Sequence, residues 1–188
     1  IMIKRSFDLV ICLVLIMPLL ILMLLISVAV KSTSKGPVLY WSSRVGREGT
    51  CFNMPKFRSM KLGTPAVATH LMKNPDKCMT SIGVFLRNSS LDELPQLFSV
   101  LRGEMSFVGP RPALYNQSDL IMLRKKKNVD RLLPGITGWA QVNGRDKVSI
   151  PDKVALDVEY LNQQSFWMDI KILWITLFKI IKRTGVSH

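Results

Sequence analysis

The sequence predicts a mainly helical α+β protein: an N-terminal apolar helix broken at a proline (1–35), then a small cytosolic α/β domain (36–188) with interfacial amphipathic helices. Three observations carry this. No charged residue occurs from Leu9 to Val30, and Pro18 sits near the middle of that run. Two short strand patterns flank a glycine-containing turn between residues 38 and 60. From Phe166 to Arg183 the apolar residues recur at helical spacing.

The uncharged run would form a helix of ~33 Å at about 1.5 Å per residue, enough for a hydrocarbon core of about 30 Å. It exceeds the usual signal-peptide core of about 7–15 residues, and no small-x-small cleavage site follows it. Pro18 removes one backbone donor and kinks a helix, which membrane helices tolerate. Lys4 and Arg5 precede the run, and Lys31 and Lys35 follow it. Positive charge marks the cytoplasmic side. A helix-break-helix that enters and leaves on one side satisfies both flanks; a bent single span is the alternative.

Beyond Gly36-Pro37, Val38 to Trp41 reads as a strand and Arg44 to Gly49 as a turn. A second strand spans Cys51 to Met60, with Pro55 placing it at a sheet edge. Lys61 to Thr80 has no period and reads as a long loop of the kind that forms lids. Ser81 to Arg87 and Asp92 to Leu101 read as helices, and Arg124 to Lys127 as a solvated basic face. In the last helix Phe166, Ile170, Leu173, Trp174, Leu177, Phe178 and Ile181 share one face. Asp169, Lys171, Thr176, Lys179, Lys182 and Arg183 lie on the other. That apolar face either packs into the core or lies in a membrane interface with its cations toward headgroups.

Lys and Arg outnumber Asp and Glu by 26 to 13, a net charge of +13. Beside a membrane segment, the simplest partner for this charge is an anionic phospholipid surface. A nucleic-acid partner is not expected, since no zinc-finger spacing or RNA-recognition motif occurs. Cys12, Cys51 and Cys78 are odd in number and widely spaced, which argues against a disulfide framework or a zinc site.

Against this basic background the adjacent carboxylates Asp92 and Glu93 stand out. Ser90 and Glu93 have capping-box spacing, so the pair has a purely structural explanation. The chemical explanation is that one carboxylate attacks phosphorus while the other binds a cation or hydrogen-bonds. Neutralising the phosphates then calls for Mg²⁺ or a bidentate arginine. Arg111, fixed between Pro110 and Pro112, is one such arginine. The segment from Leu133 to Arg145, with Gly135, Gly138 and Gly144, reads either as a turn-rich loop or as a backbone-lined anion loop closed by Arg145. No GK[ST] or GxGxxG motif supports a P-loop or a Rossmann site.

Four blocks in this order resemble one family. They are Lys56-Phe57-Arg58-Ser59-Met60, Ser90-Leu91-Asp92-Glu93-Leu94-Pro95-Gln96-Leu97, Met105 to Pro112, and Pro134 to Arg145. The chain is similar over nearly its whole length to the bacterial sugar transferases, the monotopic phosphoglycosyl transferases, and its short N-terminal region resembles their minimal members. The resemblance implies transfer of sugar-1-phosphate from a UDP-sugar to a polyprenol phosphate such as undecaprenyl phosphate, with release of UMP, as the first membrane step of a glycoconjugate pathway. It implies Asp92 as the covalent nucleophile, Glu93 as its partner with Mg²⁺ bound at the pair, and Lys56, Arg87, Arg111 and Arg145 as phosphate or nucleotide ligands. Asp157 resembles a supporting acidic position. The family also implies a re-entrant helix in the bacterial cytoplasmic membrane with the catalytic domain on the cytoplasmic face. Two departures stand out: Met17 precedes Pro18 where related chains commonly carry serine, and Ser42 stands where many carry glutamine. Away from the resemblance, a non-catalytic membrane-anchored binding module remains the competing class.

Overall fold

The computed structural model describes residues 2–65, 76–144 and 148–182. One helix, α1 (Met2–Thr33), precedes an antiparallel hairpin of β1 (Leu39–Val45) and β2 (Cys51–Phe57). Then come α2 (Gly83–Asn88), a 3-10 segment (Leu91–Gln96) and α3 (Leu97–Arg102). Strands β3 (Ser106–Val108) and β4 (Ala113–Leu114) and helix α4 (Ser118–Lys126) follow. The chain then forms β5 (Gly135–Thr137), α5 (Trp139–Val142), α6 (Ile150–Gln163) and α7 (Phe166–Ile181). The sheets are small: β2-β1-β4 is antiparallel, and β3 pairs with β5 in parallel.

α1 is continuous through Pro18, so the expected break is not a non-helical segment. Pro18 leaves the Val14 carbonyl without its helical partner, a local loss that the flanking turns bridge. The helix is long and apolar enough to cross a membrane. One of its faces nevertheless packs on the rest of the chain at both ends. Near the N-terminus Lys4 pairs with Asp169 of α7, and Arg5 donates to the Val100 and Leu101 carbonyls at 2.6 and 2.9 Å, closing the last turn of α3. The buried Asp8 carboxylate accepts the Phe107 N–H at 3.1 Å, and Cys12 is fully enclosed. Near the C-terminus Met23, Ile26 and Val30 join the same core, and Arg58 donates to the Ser34 carbonyl at 3.0 Å and to Ser34 Oγ at 2.7 Å. The opposite face exposes Val10, Leu13, Met17, Ile21 and Leu24.

The hairpin differs from expectation at both strands: Arg44 and Val45 belong to β1, in register with Phe52 and Cys51, the turn contracts to Arg47–Gly49, and β2 ends at Phe57 rather than Met60. Pro55 does lie on an edge strand, as its missing donor requires. Of the 61–80 loop, residues 66–75 lie outside the described residues; Asp76–Cys78 is a single helical turn, and Met60 bridges to Met79. The single helix expected over Asp92–Leu101 is instead a 3-10 segment that contains Pro95, followed by α3. Arg124, expected on a solvated face, is buried, while Lys125 and Lys126 are exposed.

α7 reverses part of the wheel. Met168, Asp169 and Ile172 face the core, whereas Phe166, Trp174, Leu177 and Phe178 are exposed together with Trp167. Of the face that the sequence offered either to the core or to a membrane interface, Leu173 packs partly on the core while Phe166, Trp174, Leu177 and Phe178 are left exposed. This face adjoins α1 where the Phe7 and Phe166 rings meet edge to face at 5.1 Å.

Candidate active site

The site is assembled where β2 lies along the 3-10 turn and the Gly109–Pro112 loop approaches it. Ser90 opens the turn in the left-handed region (φ 56°) and makes no side-chain cap. The capping-box explanation therefore fails: the Glu93 carboxylate turns away from Ser90. Its Oε1 accepts from Lys56 Nζ at 2.7 Å and from Arg111 Nη2 at 2.9 Å.

The two carboxylates have opposite surroundings. Burial pushes Glu93 up, but Arg111 and Lys56, with a hydrogen bond from each, outweigh it and hold the group well below the usual carboxylate range. Asp92 is also buried yet accepts no hydrogen bond among the described residues. Burial raises its pKa, Lys56 opposes this, and the neighbouring Glu93 charge adds to the rise. Asp92 is thus the more basic member of the pair. Lys56 is itself lowered by burial, an effect that Glu93 partly offsets.

The expected residues Asp92, Glu93, Lys56 and Arg111 come together, and the Arg87 charge also acts on Asp92. Arg145 lies outside the described residues. Asp157 is not at the carboxylate pair. It is buried behind the Arg111 loop, where its Oδ2 accepts from Arg124 Nε at 3.0 Å and Nη2 at 2.7 Å. Arg124 Nη1 in turn donates to the Arg111 carbonyl at 2.7 Å.

Two residues escaped the sequence. Arg44 sits beside Arg111 and donates to Ser42 Oγ at 2.9 Å and to the Pro112 carbonyl at 3.0 Å. Burial, and then the Arg111 charge, push its pKa down to about 10. Arg124 was hidden in a basic run. Its four-residue spacing from the buried Leu120 was the available signal, since it puts both on one face of α4.

The glycines of the 133–145 segment serve close packing. A Cβ on Gly109 would lie 2.2 Å from the Leu133 carbonyl oxygen, and one on Gly138 would lie 2.0 Å from the Gly109 carbonyl oxygen. The segment is thereby welded to the Arg111 loop. No group of three or more His, Cys, Asp or Glu that could cage a metal occurs among the described residues. Mg²⁺ ordinarily takes one or two carboxylates and completes its shell with water and phosphate oxygens, a mode that Asp92, which accepts no hydrogen bond among the described residues, fits beside Glu93.

A carboxylate pair surrounded by Arg44, Lys56, Arg87 and Arg111 gathers the kinds of cation that suit anionic, phosphate-like groups. The chain belongs to the bacterial sugar transferase family, which matches residues 1–183. It is 42% identical over 185 residues to an undecaprenyl-phosphate glucose phosphotransferase of Komagataeibacter xylinus, covering 93% of this chain and 35% of that protein. It is 39% identical over 186 residues to a UDP-glucose:undecaprenyl-phosphate glucose-1-phosphate transferase of Escherichia coli, covering 95% of this chain and 40% of that protein. It is 38% identical over 188 residues to the uncharacterized sugar transferase EpsL of Bacillus subtilis, covering 98% of this chain and 90% of that protein. The chain thus spans well under half the length of the first two relatives.

Proposed function

We propose that this chain transfers sugar-1-phosphate from a UDP-sugar to a polyprenol phosphate, in the manner named for its Escherichia coli and Komagataeibacter relatives. The observation that carries the proposal is the asymmetry of the carboxylate pair: Glu93 accepts from two cations, while among the described residues Asp92 accepts no hydrogen bond and its pKa is raised. Asp92 attacks the phosphorus that bears the sugar. The bond from that phosphorus to the bridging oxygen breaks, and UMP leaves with the electron pair. An oxygen of the polyprenol phosphate then attacks the same phosphorus, freeing the Asp92 carboxylate and forming the polyprenyl diphosphate sugar. Arg111 and Lys56 hold the diphosphate charge, and Glu93 keeps both cations oriented. Asp92 and Glu93 would hold Mg²⁺, which neutralises phosphate charge when bound.

The lipid acceptor requires membrane contact, and a re-entrant α1 supplies it. Supporting this, Lys4, Arg5 and Asp8 at one end and Ser34 at the other bond the same domain. A straight span would separate those ends by the hydrocarbon core, about 30 Å. Impermeant labelling of single cysteines at Ile3 and Lys35 in oriented vesicles should reach both from the cytoplasmic side. Labelling from opposite sides contradicts re-entry.

The reaction is tested on the purified chain in detergent with Mg²⁺, undecaprenyl phosphate and a UDP-sugar panel headed by UDP-glucose, reading UMP. Asp92→Asn should abolish UMP release, and the unsubstituted chain quenched without acceptor should carry the mass of a phospho-sugar on the peptide containing Asp92. An Asp92→Asn protein that turns over normally removes the nucleophile assignment.

A further inference from the structure

The Gly109–Pro112 loop carries Arg111, yet Pro110 and Pro112 have no N–H with which to anchor it. Besides the Gly109 N–H, which donates to the Thr137 carbonyl at 2.9 Å, its carbonyls do the holding. The Pro110 carbonyl accepts from the Gly135 N–H of β5 at 2.9 Å, the Arg111 carbonyl from Arg124 Nη1 of α4 at 2.7 Å, and the Pro112 carbonyl from Arg44 Nη1 of β1 at 3.0 Å. Three consecutive carbonyls thus meet donors from three different elements.

Two of these donors are guanidinium groups that are themselves fixed. Arg124 is only 8% exposed, and its Nε and Nη2 both bond Asp157 Oδ2, which leaves Nη1 directed at the loop. Arg44 is oriented by Nε on Ser42 Oγ. A planar fork can engage an acceptor on one edge while presenting another N–H elsewhere; a lysine ammonium is a point charge and does not present that fixed geometry.

We propose that Arg124, held by Asp157, and Arg44 are positioning residues for Arg111. They fix the backbone from which the Arg111 guanidinium reaches Glu93 at 2.9 Å. Because the prolines hold two of the loop's φ angles, the loop shifts as a unit, and a change at its carbonyls is transmitted to the Arg111 side chain. The consequence for turnover rests on the reading of Arg111 as a donor-phosphate ligand.

The test is a double-mutant cycle on the full chain in detergent, with variants Arg111→Ala, Arg124→Lys and the pair. Arg124→Lys keeps a cation beside Asp157, so Tm should stay near that of the unsubstituted chain. Its kcat/KM for UMP release should nevertheless fall by about 10²-fold, the scale expected for a misplaced binding group. The loss should divide between kcat and KM as it does in Arg111→Ala, and the double variant should be no worse than Arg111→Ala alone. Arg44→Gln, run through the same cycle, gives an independent measurement if Arg124→Lys folds poorly. Losses that multiply, or an Arg124→Lys protein with undiminished kcat/KM, overturn the proposal. If the unsubstituted chain releases no UMP from any donor, the function fails on its own. Calorimetric titration with inorganic pyrophosphate then runs the cycle without turnover. Arg124→Lys should weaken binding only while Arg111 is present, and equal weakening without Arg111 overturns the positioning role.

Discussion

Asp92 and Glu93 are neighbours in sequence and opposites in chemistry. Asp92 is buried and Glu93 half-buried, and among the described residues only Glu93 is matched by cations at hydrogen-bond distance. The pH dependence follows with a definite sign. An attacking carboxylate must be ionised, and the Asp92 pKa is raised, so turnover should fall on acidification at a pH above the ordinary aspartate value of about 3.9. The Glu93 charge is one cause of that rise. Glu93→Gln should therefore move the acidic limb of its residual activity to lower pH, as measured by kcat/KM against pH normalised to its own plateau. A limb that stays put or moves up contradicts the coupling. At the Asp157–Arg124 pair the prediction concerns stability. Asp157→Ala leaves a buried guanidinium without its counter-ion, which should cost about 3–5 kcal/mol in denaturant unfolding. These roles divide by legibility. The carboxylate pair and Arg111 are readable because proline and adjacent acids are unusual local patterns. Arg44 and Arg124 are not, because a cation's partner lies far along the chain: Arg124 meets Asp157 across 33 residues, and Arg44 meets Pro112 across 68.

Among the elements, α7 shows how a helical period is legible while its orientation is not. The wheel separates apolar from polar residues correctly, yet Asp169 is buried and Trp174 exposed. The buried acid is compensated by specific partners, Lys4 and the Tyr160 hydroxyl, the latter donating at 2.6 Å. Tyr160 lies nine residues away, but Lys4 comes from α1, 165 positions off, so no window around Asp169 contains its counter-ion. The exposed side of α7, continued through Phe166 and Phe7 to the bare face of α1, is an apolar surface suited to a bilayer interface. Changing Trp167 and Trp174 together to glutamate should reduce partition into anionic vesicles in a flotation assay. Tm should change little, because the two side chains are 77% and 64% exposed. Unchanged partition removes α7 from the membrane contact. The same helix also touches the scaffold of the site: Thr176 and Thr137 hydroxyls lie 2.7 Å apart, and the Lys171 ammonium sits 5.2 Å from the Trp139 ring.

Across the whole molecule, a net charge of +13 accompanies the exposed apolar faces of α1 and α7. Attraction of lysines and arginines to anionic headgroups is screened by salt, whereas insertion of apolar side chains is not. Raising ionic strength should therefore weaken the initial capture of the chain by anionic vesicles without extracting chain already inserted, a difference that stopped-flow binding and a salt wash separate. The sequence by itself determined the apolar N-terminal helix, the edge hairpin, the helical C-terminal segment and the acidic pair with its proline-flanked arginine, since each is written in local composition or spacing. Only the tertiary structure decided that Glu93 rather than Asp92 takes the hydrogen bonds of Lys56 and Arg111, that Asp157 lies behind the loop, and that both ends of α1 rest on one domain. Those outcomes depend on contacts between residues tens of positions apart, where burial and charge pairing, rather than local propensity, set the energy.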